Sequence, residues 1–171
     1  MDRELTTVQV REVRLEDAAA IVGILNPIID AGLYTALDTP FSVEAEQAFL
    51  RSFPARGILH VAVDPADQRV LAFQSLEPFA TYTHAFDHVG TIGTFVDLAL
   101  RRRGISTALF EATFDAARRK GYEKLFTFVR ADNPAALAAY RKHGFTIVGT
   151  AHRHTKITGA YIDEIIIERF L

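Results

Sequence analysis

The sequence contains no cysteine, has almost no net charge and lacks any long hydrophobic run. The absence of cysteine excludes a disulfide framework, a thiolate nucleophile and a cysteine-ligated zinc site, and it fits a reducing cytoplasm. A formal net charge of -2 at pH 7 gives no overall field that would recruit nucleic acid or an acidic membrane. No segment approaches the roughly 18 apolar residues that can span a bilayer. We therefore expect a cytoplasmic protein with neither nucleic-acid nor membrane partners.

Two further absences narrow the function. Residues 1–14 mix acidic and basic side chains without an apolar core, so we expect no signal peptide there. No Gly-x-x-x-x-Gly-Lys-Ser/Thr segment is present, which argues against a P-loop ATPase. The 171 residues, of which 49% are hydrophobic and 23% are charged, suit one globular domain with a buried core. We treat residues 1–171 as that single domain.

Hydrophobic periodicity predicts the element order β-α-α-β-β-β-α-β-α-β-β. Strands are predicted at residues 8–14, 60–64, 70–76, 91–100, 124–129, 145–149 and 161–170, and helices at 16–25, from 42 onwards, at 107–120 and at 134–143. Asn26-Pro27 permits a break or kink at the end of the first helix. Residues 79–90 are rich in aromatic side chains and predict an irregular loop over a site. The order indicates a mixed α/β (α+β) fold with a mostly antiparallel sheet and one β-α-β crossover.

A basic, small-residue turn joins the strand predicted at 91–100 to the helix predicted at 107–120. It reads Arg101-Arg102-Arg103-Gly104-Ile105-Ser106-Thr107. A helix N-terminus presents unpaired N–H groups and the positive end of the helix dipole, and the arginines add further positive charge. The turn therefore predicts a site for a phosphate or pyrophosphate, and hence a phosphate-bearing cofactor. Taken alone, it also fits an ordinary strand-to-helix turn with solvated arginines.

A second segment with features of a ligand site, residues 130–145, follows the basic turn in the sequence. Asn133-Pro134 is a helix start, with an Asn cap and Pro at the first helical position. Tyr140 comes two helical turns after Asn133 and shares its face. Four alanines between them leave the helix thin, so that a bulky ligand can lie close to it. On the local sequence alone, Asn133 is a cap and Tyr140 a half-buried aromatic with its hydroxyl in water.

Together, Arg101-x-x-Gly104-x-Ser106 and Asn133-x-x-x-x-x-x-Tyr140-x-x-x-Gly144-Phe145 resemble the two signature segments of the GNAT superfamily of N-acetyltransferases. Residues 24–29, 35–40 and 159–164 resemble the phosphinothricin acetyltransferase-like branch. The resemblance implies the GNAT acyl-CoA N-acyltransferase fold, with helices flanking a mostly antiparallel sheet. It implies acetyl-CoA as cosubstrate, no metal, and a homodimer formed through the C-terminal strands. The His152-x-His154 pair lacks a third ligand, so we expect no metal site there.

The resemblance also implies roles for individual residues. Acetyl-CoA would lie where the central strand splays from its neighbour, with backbone groups of Phe95, Val96 and Asp97 pairing with the pantetheine. Tyr140 would stand near the thioester sulfur and protonate the leaving thiolate, while the amine attacks directly without an acyl-enzyme. The catalytic residues implied are Tyr140 and Asn133. The cofactor-binding residues implied are Phe95, Val96, Asp97, Arg101, Arg102, Arg103, Gly104, Ile105, Ser106, Thr107, Asn133, Tyr140 and Lys142.

Two positions depart from the pattern of the family. Ser106 stands where Gly or Ala is usual, and it is small enough to keep cofactor binding. Thr91 stands where the branch often carries the glutamate that draws a proton from the substrate ammonium. The base is therefore open, among Glu77, His84, Asp87, His88 and ordered water. The segment 82–88 aligns with the branch's substrate contacts, which gives His84, Ala85 and Phe86 as substrate-binding residues, and Thr91 on the central strand is added to them. The alternative for the segment is a flexible, aromatic surface loop.

The sequence thus predicts an acetyl-CoA-dependent N-acetyltransferase acting on a primary amine of a small molecule. An amino acid or an analogue of the phosphinothricin or methionine sulfoximine type is the acceptor that the resemblance suggests. Two alternatives stay open: a protein or peptide N-acetyltransferase on the same fold, and a catalytically inactive acetyl-CoA-binding domain.

Overall fold

The computed structural model describes residues 7–171. The expectation that residues 1–14 hold no signal peptide therefore falls partly outside the described residues. The described strands are β1 (Gln9–Glu12), β2 (Ile58–Val63), β3 (Val70–Pro78), β4 (Val89–Val96), β5 (Lys124–Arg130), β6 (Thr146–Ile157) and β7 (Ala160–Phe170). The helices are α1 (Ala18–Asp30), α2 (Val43–Arg51), α3 (Ile105–Arg119) and α4 (Pro134–Lys142), with short 3₁₀ turns at Leu15–Asp17, His84–Phe86 and Leu98–Leu100.

The seven strands form one twisted layer in the order β1-β2-β3-β4-β5-β7-β6. Within the described residues, every neighbouring pair is antiparallel except β4 and β5, which are parallel and joined by the α3 crossover. The predicted element order and the mixed α/β class with a mostly antiparallel sheet are therefore confirmed.

Helices cover both faces of the sheet, because side chains alternate along β2, β3 and β4. On one face, α1 contributes Ile21, Ile24 and Ile28 to a core shared with Val61 and Phe73. On the other face, a second core contains buried side chains of α3, α4 and the central strands, including Phe110, Phe114, Leu76, Ile92 and Leu125. Burying each such side chain contributes roughly 1.5–3 kcal/mol to folding. The two cores fix the central strands between the two helix layers.

The predicted end of α1 is wrong, since the helix runs through Pro27 to Asp30 without a break. Ile28 and Ile29 lie beyond the proline and are both buried, so packing outweighs the hydrogen bond that Pro27 cannot donate. Asn26 is not a break either. Its side-chain amide donates to the Phe41 carbonyl and accepts from the Phe41 N–H, each at 2.9 Å.

Three other predicted boundaries shift for local reasons. β4 ends at Val96, because the Asp97 carboxylate accepts from the Ala99 N–H and starts a 3₁₀ turn. α3 begins at Ile105, two residues earlier than predicted, since Gly104 takes the N-cap position at φ +77°. β6 continues to Ile157, well beyond the predicted end at 149, because its bulged pairing with β7 extends along that strand.

Candidate active site

The central strands separate part-way along the sheet. β4 and β5 pair over only three positions, Val89 with Lys124, Gly90 with Leu125 and Thr91 with Phe126. Beyond Thr91, β4 continues to Val96 and β5 to Arg130 without further pairing between them. Backbone groups along that stretch of β4 need another partner. A cavity of about 700 Å³ opens at this cleft, within the size range of small-ligand sites.

The basic turn lies next to the cavity. Gly104 caps α3 at φ +77°, and the N–H groups of Ile105 and Ser106 are in the first turn, where a helix offers them no internal acceptor. Arg102 and Arg103 are exposed. The Arg101 guanidinium lies 3.8 Å above the ring of Tyr34, a residue that lines the cavity. Positive charge, free N–H donors and the helix dipole therefore meet at one edge of the cleft.

Asn133 and Tyr140, both on the cavity wall, come from α4. The Asn133 side chain accepts from the Ala136 N–H at 3.2 Å, which confirms the predicted cap, and its amide donates to the Tyr34 carbonyl at 3.3 Å. The amide thus ties the start of α4 to the segment after α1.

The Tyr140 hydroxyl is held inside the protein. It donates to Thr94 Oγ1 at 3.1 Å, and the same oxygen accepts from Gln74 Nε2 at 2.9 Å. The residue is only 8% exposed, so the alternative of a half-buried ring with its hydroxyl in water is wrong. Burial raises the pKa of Tyr140 to about 12, although the hydrogen bond to Thr94 opposes this shift. The hydroxyl is consequently a proton donor throughout the neutral range.

Three carboxylates also line the cavity, Glu46 of α2, Glu77 of β3 and Glu164 of β7. Burial raises the pKa of both Glu46 and Glu77. Glu77 pairs directly with Thr91 in the antiparallel register, so their side chains lie on one face of the sheet. Glu164 accepts a 2.6 Å hydrogen bond from the Thr155 hydroxyl.

Two of these carboxylates were missed by the sequence analysis. Glu46 shares a helix face with Val43 and Leu50, and an acid on the apolar face of an amphipathic helix is the signal that could have found it. Glu164 carries no local signal, because its surroundings come from Thr155 of β6 and from Arg130 across the β5–β7 register.

The structure brings some predicted site residues together and leaves others apart. Thr91, Phe95, Asn133 and Tyr140 line the cavity. The others that were predicted do not: Val96, Asp97, Arg101, Arg102, Arg103, Gly104, Ile105, Ser106, Thr107, Lys142, His84, Ala85 and Phe86. The turn residues adjoin the cavity through Arg101 and Tyr34. Their roles stay predictions.

The predicted substrate loop, residues 82–88, does not line the cavity. The His84 side chain is fully exposed, and its Nδ1 lies 3.0 Å from the Asp87 carboxylate. Phe86 packs edge-on against Phe79 and Tyr82. Contact of this loop with a substrate stays a prediction.

The two histidines of the His152-x-His154 pair have different partners. His152 Nδ1 lies 2.9 Å from the Asp163 carboxylate, whereas the His154 ring stacks on Phe128. Among residues 7–171 there is no cluster of three or more His, Cys, Asp or Glu side chains that could hold a metal ion. In the same range, no helix is both long enough and apolar enough to span a bilayer.

The sequence profile of the Acetyltransferase (GNAT) family matches residues 31–145, which include the cleft, the basic turn and α4. The chain belongs to the GNAT family. The predicted family, fold and class of enzyme, an N-acetyltransferase, are thereby confirmed.

Known proteins resemble this GNAT enzyme over most of its length. It is 27% identical over 155 residues to YwnH of Bacillus subtilis, provisionally named a phosphinothricin acetyltransferase, covering 91% of this chain and 94% of the relative. It is 23% identical over 159 residues to the L-methionine sulfoximine/L-methionine sulfone acetyltransferase of Pseudomonas aeruginosa, covering 90% and 89%. A solved phosphinothricin acetyltransferase from Sinorhizobium meliloti in complex with AcCoA has a TM-score of 0.88 at 20% identity, covering 97% and 89%.

The residues of this chain fit acetyl-CoA on physical grounds. The unpaired stretch of β4 offers backbone groups to an extended amide-bearing chain, as an added strand would. The N-terminus of α3 and its arginines suit the pyrophosphate. The cavity of about 700 Å³ follows this same stretch of β4 and is also lined by Asn133 and Tyr140.

Proposed function

We propose that this GNAT enzyme transfers the acetyl group of acetyl-CoA to a primary amine of a small molecule. The observation that carries the proposal is the Tyr140 hydroxyl, which is buried, protonated and aimed at Thr94 inside the cleft between β4 and β5. A proton donor at that position suits the departure of a thiolate. The activity would belong to a single domain spanning residues 1–171.

The cofactor would lie along the unpaired edge of β4. Backbone groups of Phe95, Val96 and Asp97 would pair with the pantetheine, and the turn at residues 101–107 would hold the pyrophosphate. Asn133 would contact the cofactor at the start of α4. Lys142, exposed at the other end of α4, would lie near the phosphates.

The chemistry needs one proton donor and one proton acceptor. The amine nitrogen forms a bond to the thioester carbon, and the carbon–sulfur bond breaks. Overall, the ammonium gives up two protons, of which one goes to the thiolate and the other to solvent. Tyr140 would supply the proton that the thiolate takes up, and would be reprotonated from solvent.

Among the candidate bases, the structure favours Glu77. Its side chain shares a sheet face with Thr91, where the resemblance places the base, and it lines the cavity. Burial raises its pKa, which brings a carboxylate closer to the working range of a general base. By contrast, His84, Asp87 and His88 are exposed and do not line the cavity.

The deciding experiment is CoA release from acetyl-CoA over a panel of primary amines, with calorimetric acetyl-CoA binding alongside. The panel holds amino acids, phosphinothricin, methionine sulfoximine, polyamines and short peptides. We expect turnover with a small molecule and none with peptides. Turnover with peptides alone would support the alternative of a protein or peptide N-acetyltransferase, and binding without any turnover would support the inactive domain. A homodimer through the C-terminal strands stays a prediction of the resemblance.

A further inference from the structure

The cavity wall carries more acidic than basic side chains. Among residues 7–171, the Asp, Glu, Lys and Arg side chains that line it are Glu46, Glu77, Glu164 and Arg130. Three carboxylates therefore face one guanidinium.

The single guanidinium is already neutralised. Arg130 donates from Nε and Nη2 to both oxygens of Asp132, at 2.9 and 2.7 Å. Its Nη1 donates to the carbonyls of Gly32 and Thr35, at 2.9 and 3.0 Å. Four of the five N–H donors of an arginine are thus committed inside the protein. Arg130 has little left with which to bind a carboxylate on a substrate.

No ion pair joins any of the three carboxylates to a Lys, Arg or His side chain among residues 7–171, and only Glu164 has a cation nearby, because Arg130 lies opposite it in the β5–β7 register. Glu46 is only 6% exposed, and its side chain makes no hydrogen bond or ion pair with any of residues 7–171. Glu77 likewise has no partner in that range. Glu164 is 4% exposed, and the Thr155 hydroxyl is its one hydrogen-bond donor among residues 7–171.

Buried carboxylates without a cation are costly unless something compensates for them. Glu46 and Glu164 come from α2 and β7, which are distant in the sequence, and both face the same cavity. A positively charged ligand would restore the missing partner. A ligand that brings its own carboxylate would instead be repelled, since Arg130, the one Lys or Arg on the described cavity wall, is committed to Asp132, and the His154 ring stacks on Phe128.

From this arrangement we infer that the acceptor is an amine with a second positive charge and no carboxylate, the chemistry of a diamine or polyamine. The inference rests on the proposed acetyl transfer and names the substrate class of that same site. Glu77 would deprotonate the reacting ammonium, while Glu46 and Glu164 would bind the second one. This acceptor class differs from the amino-acid analogues after which the relatives are named.

Three acceptors of equal length test the inference without any mutation. They are 1,5-diaminopentane, pentylamine and 5-aminopentanoate, which end in an ammonium, a methyl group and a carboxylate. We expect kcat/KM to fall in that order, by about tenfold or more at each step, because each step changes the charge that meets the carboxylates. Equal or better turnover of pentylamine or 5-aminopentanoate would overturn the inference. Failure of the proposed function looks different, since no amine would then release CoA.

A charge-neutral variant tests which residue selects the diamine. Glu46→Gln should lower kcat/KM for 1,5-diaminopentane, mainly through KM, so that the preference for 1,5-diaminopentane over pentylamine falls about tenfold. The control is Glu44→Gln, since Glu44 is on the same helix but exposed and away from the cavity. Unchanged acetyl-CoA binding and an unchanged thermal midpoint would show that the variant is folded. If it is not, Glu164→Gln is compared in the same way. Retention of the full diamine preference in a folded variant of both residues would overturn the assignment.

Discussion

The cleft between β4 and β5 adjoins a basic region and contains an acidic one. The basic region is the turn at residues 101–107, where backbone N–H groups, the dipole of α3 and three arginines act together. The acidic region consists of Glu46, Glu77 and Glu164, which come from α2, β3 and β7. The anionic end of acetyl-CoA and a cationic acceptor would therefore be drawn to different parts of one cleft.

The two regions also differ in how they are encoded. The basic turn is one continuous stretch, and much of its binding capacity belongs to the backbone of a helix terminus. The acidic region exists only after folding, because strand order and helix packing bring three separate side chains together. A mutation should consequently affect one region without the other, unless it changes Tyr140, whose hydroxyl is proposed to act at the reacting centre.

The largest expected effect is that of Tyr140→Phe, which removes the hydroxyl that we propose as the general acid. The ring would keep its packing against Phe110 and Phe145, at centroid distances of 5.4 and 5.1 Å. We expect kcat to fall by about 10²- to 10³-fold, the usual contribution of a general acid, while acetyl-CoA affinity changes little. Steady-state kinetics and calorimetry measure the two quantities.

Tyr122→Phe is the matched control. Its hydroxyl also makes a buried hydrogen bond, donating to the Arg56 carbonyl at 3.1 Å, but the residue does not line the cavity. Its loss should lower stability without lowering kcat. An unchanged rate in Tyr140→Phe would remove Tyr140 as the acid.

The next effect is that of Glu77→Gln, which belongs to the acidic region alone. The variant keeps the shape of the side chain but cannot accept the proton. We expect a loss of roughly 10²-fold in kcat/KM at neutral pH, which shrinks as the pH approaches the pKa of the amine, because more acceptor is then already deprotonated. Glu111→Gln, an exposed position on α3, is the control. An unchanged kcat/KM of Glu77→Gln at neutral pH would contradict the role of Glu77 and leave ordered water as the base.

Much of the basic region could be predicted from sequence, and little of the acidic one. Arg101-x-x-Gly104-x-Ser106 and the Asn133–Tyr140 spacing are local patterns, and the predicted Asn133 cap is confirmed. The end of α1 was not predictable locally, because buried Ile28 and Ile29 override Pro27. Neither was Glu164 recognisable, since its partners come from other strands. A residue whose partners are distant in the sequence belongs to no local sequence pattern that would identify it.

A smaller effect, confined to the basic region, is that of Gly104→Val. Gly104 and Gly121 flank α3 at φ +77° and +83°, and at each a Cβ would meet no protein atom within 4 Å. Gly104→Val and Gly121→Val therefore carry a similar backbone strain. Only the first crowds the turn proposed to hold the pyrophosphate. We expect acetyl-CoA to bind Gly104→Val about tenfold more weakly than Gly121→Val, a difference of roughly 1.4 kcal/mol. Equal dissociation constants by calorimetry would refute the role of the turn.

The smallest expected effect is the absence of a fall in rate at high pH. An ordinary tyrosine, with a pKa near 10, would lose its proton around that pH and stop acting as an acid. Burial raises the pKa of Tyr140 to about 12, so the hydroxyl keeps its proton well above neutrality. The rate should therefore rise as the amine deprotonates and then stay level to about pH 10. The contrary result is a fall in rate below pH 10 that is present in the wild type and lost in Tyr140→Phe. It would show that the hydroxyl titrates as if it were exposed, and it would argue against a closed, dry cleft around the departing sulfur.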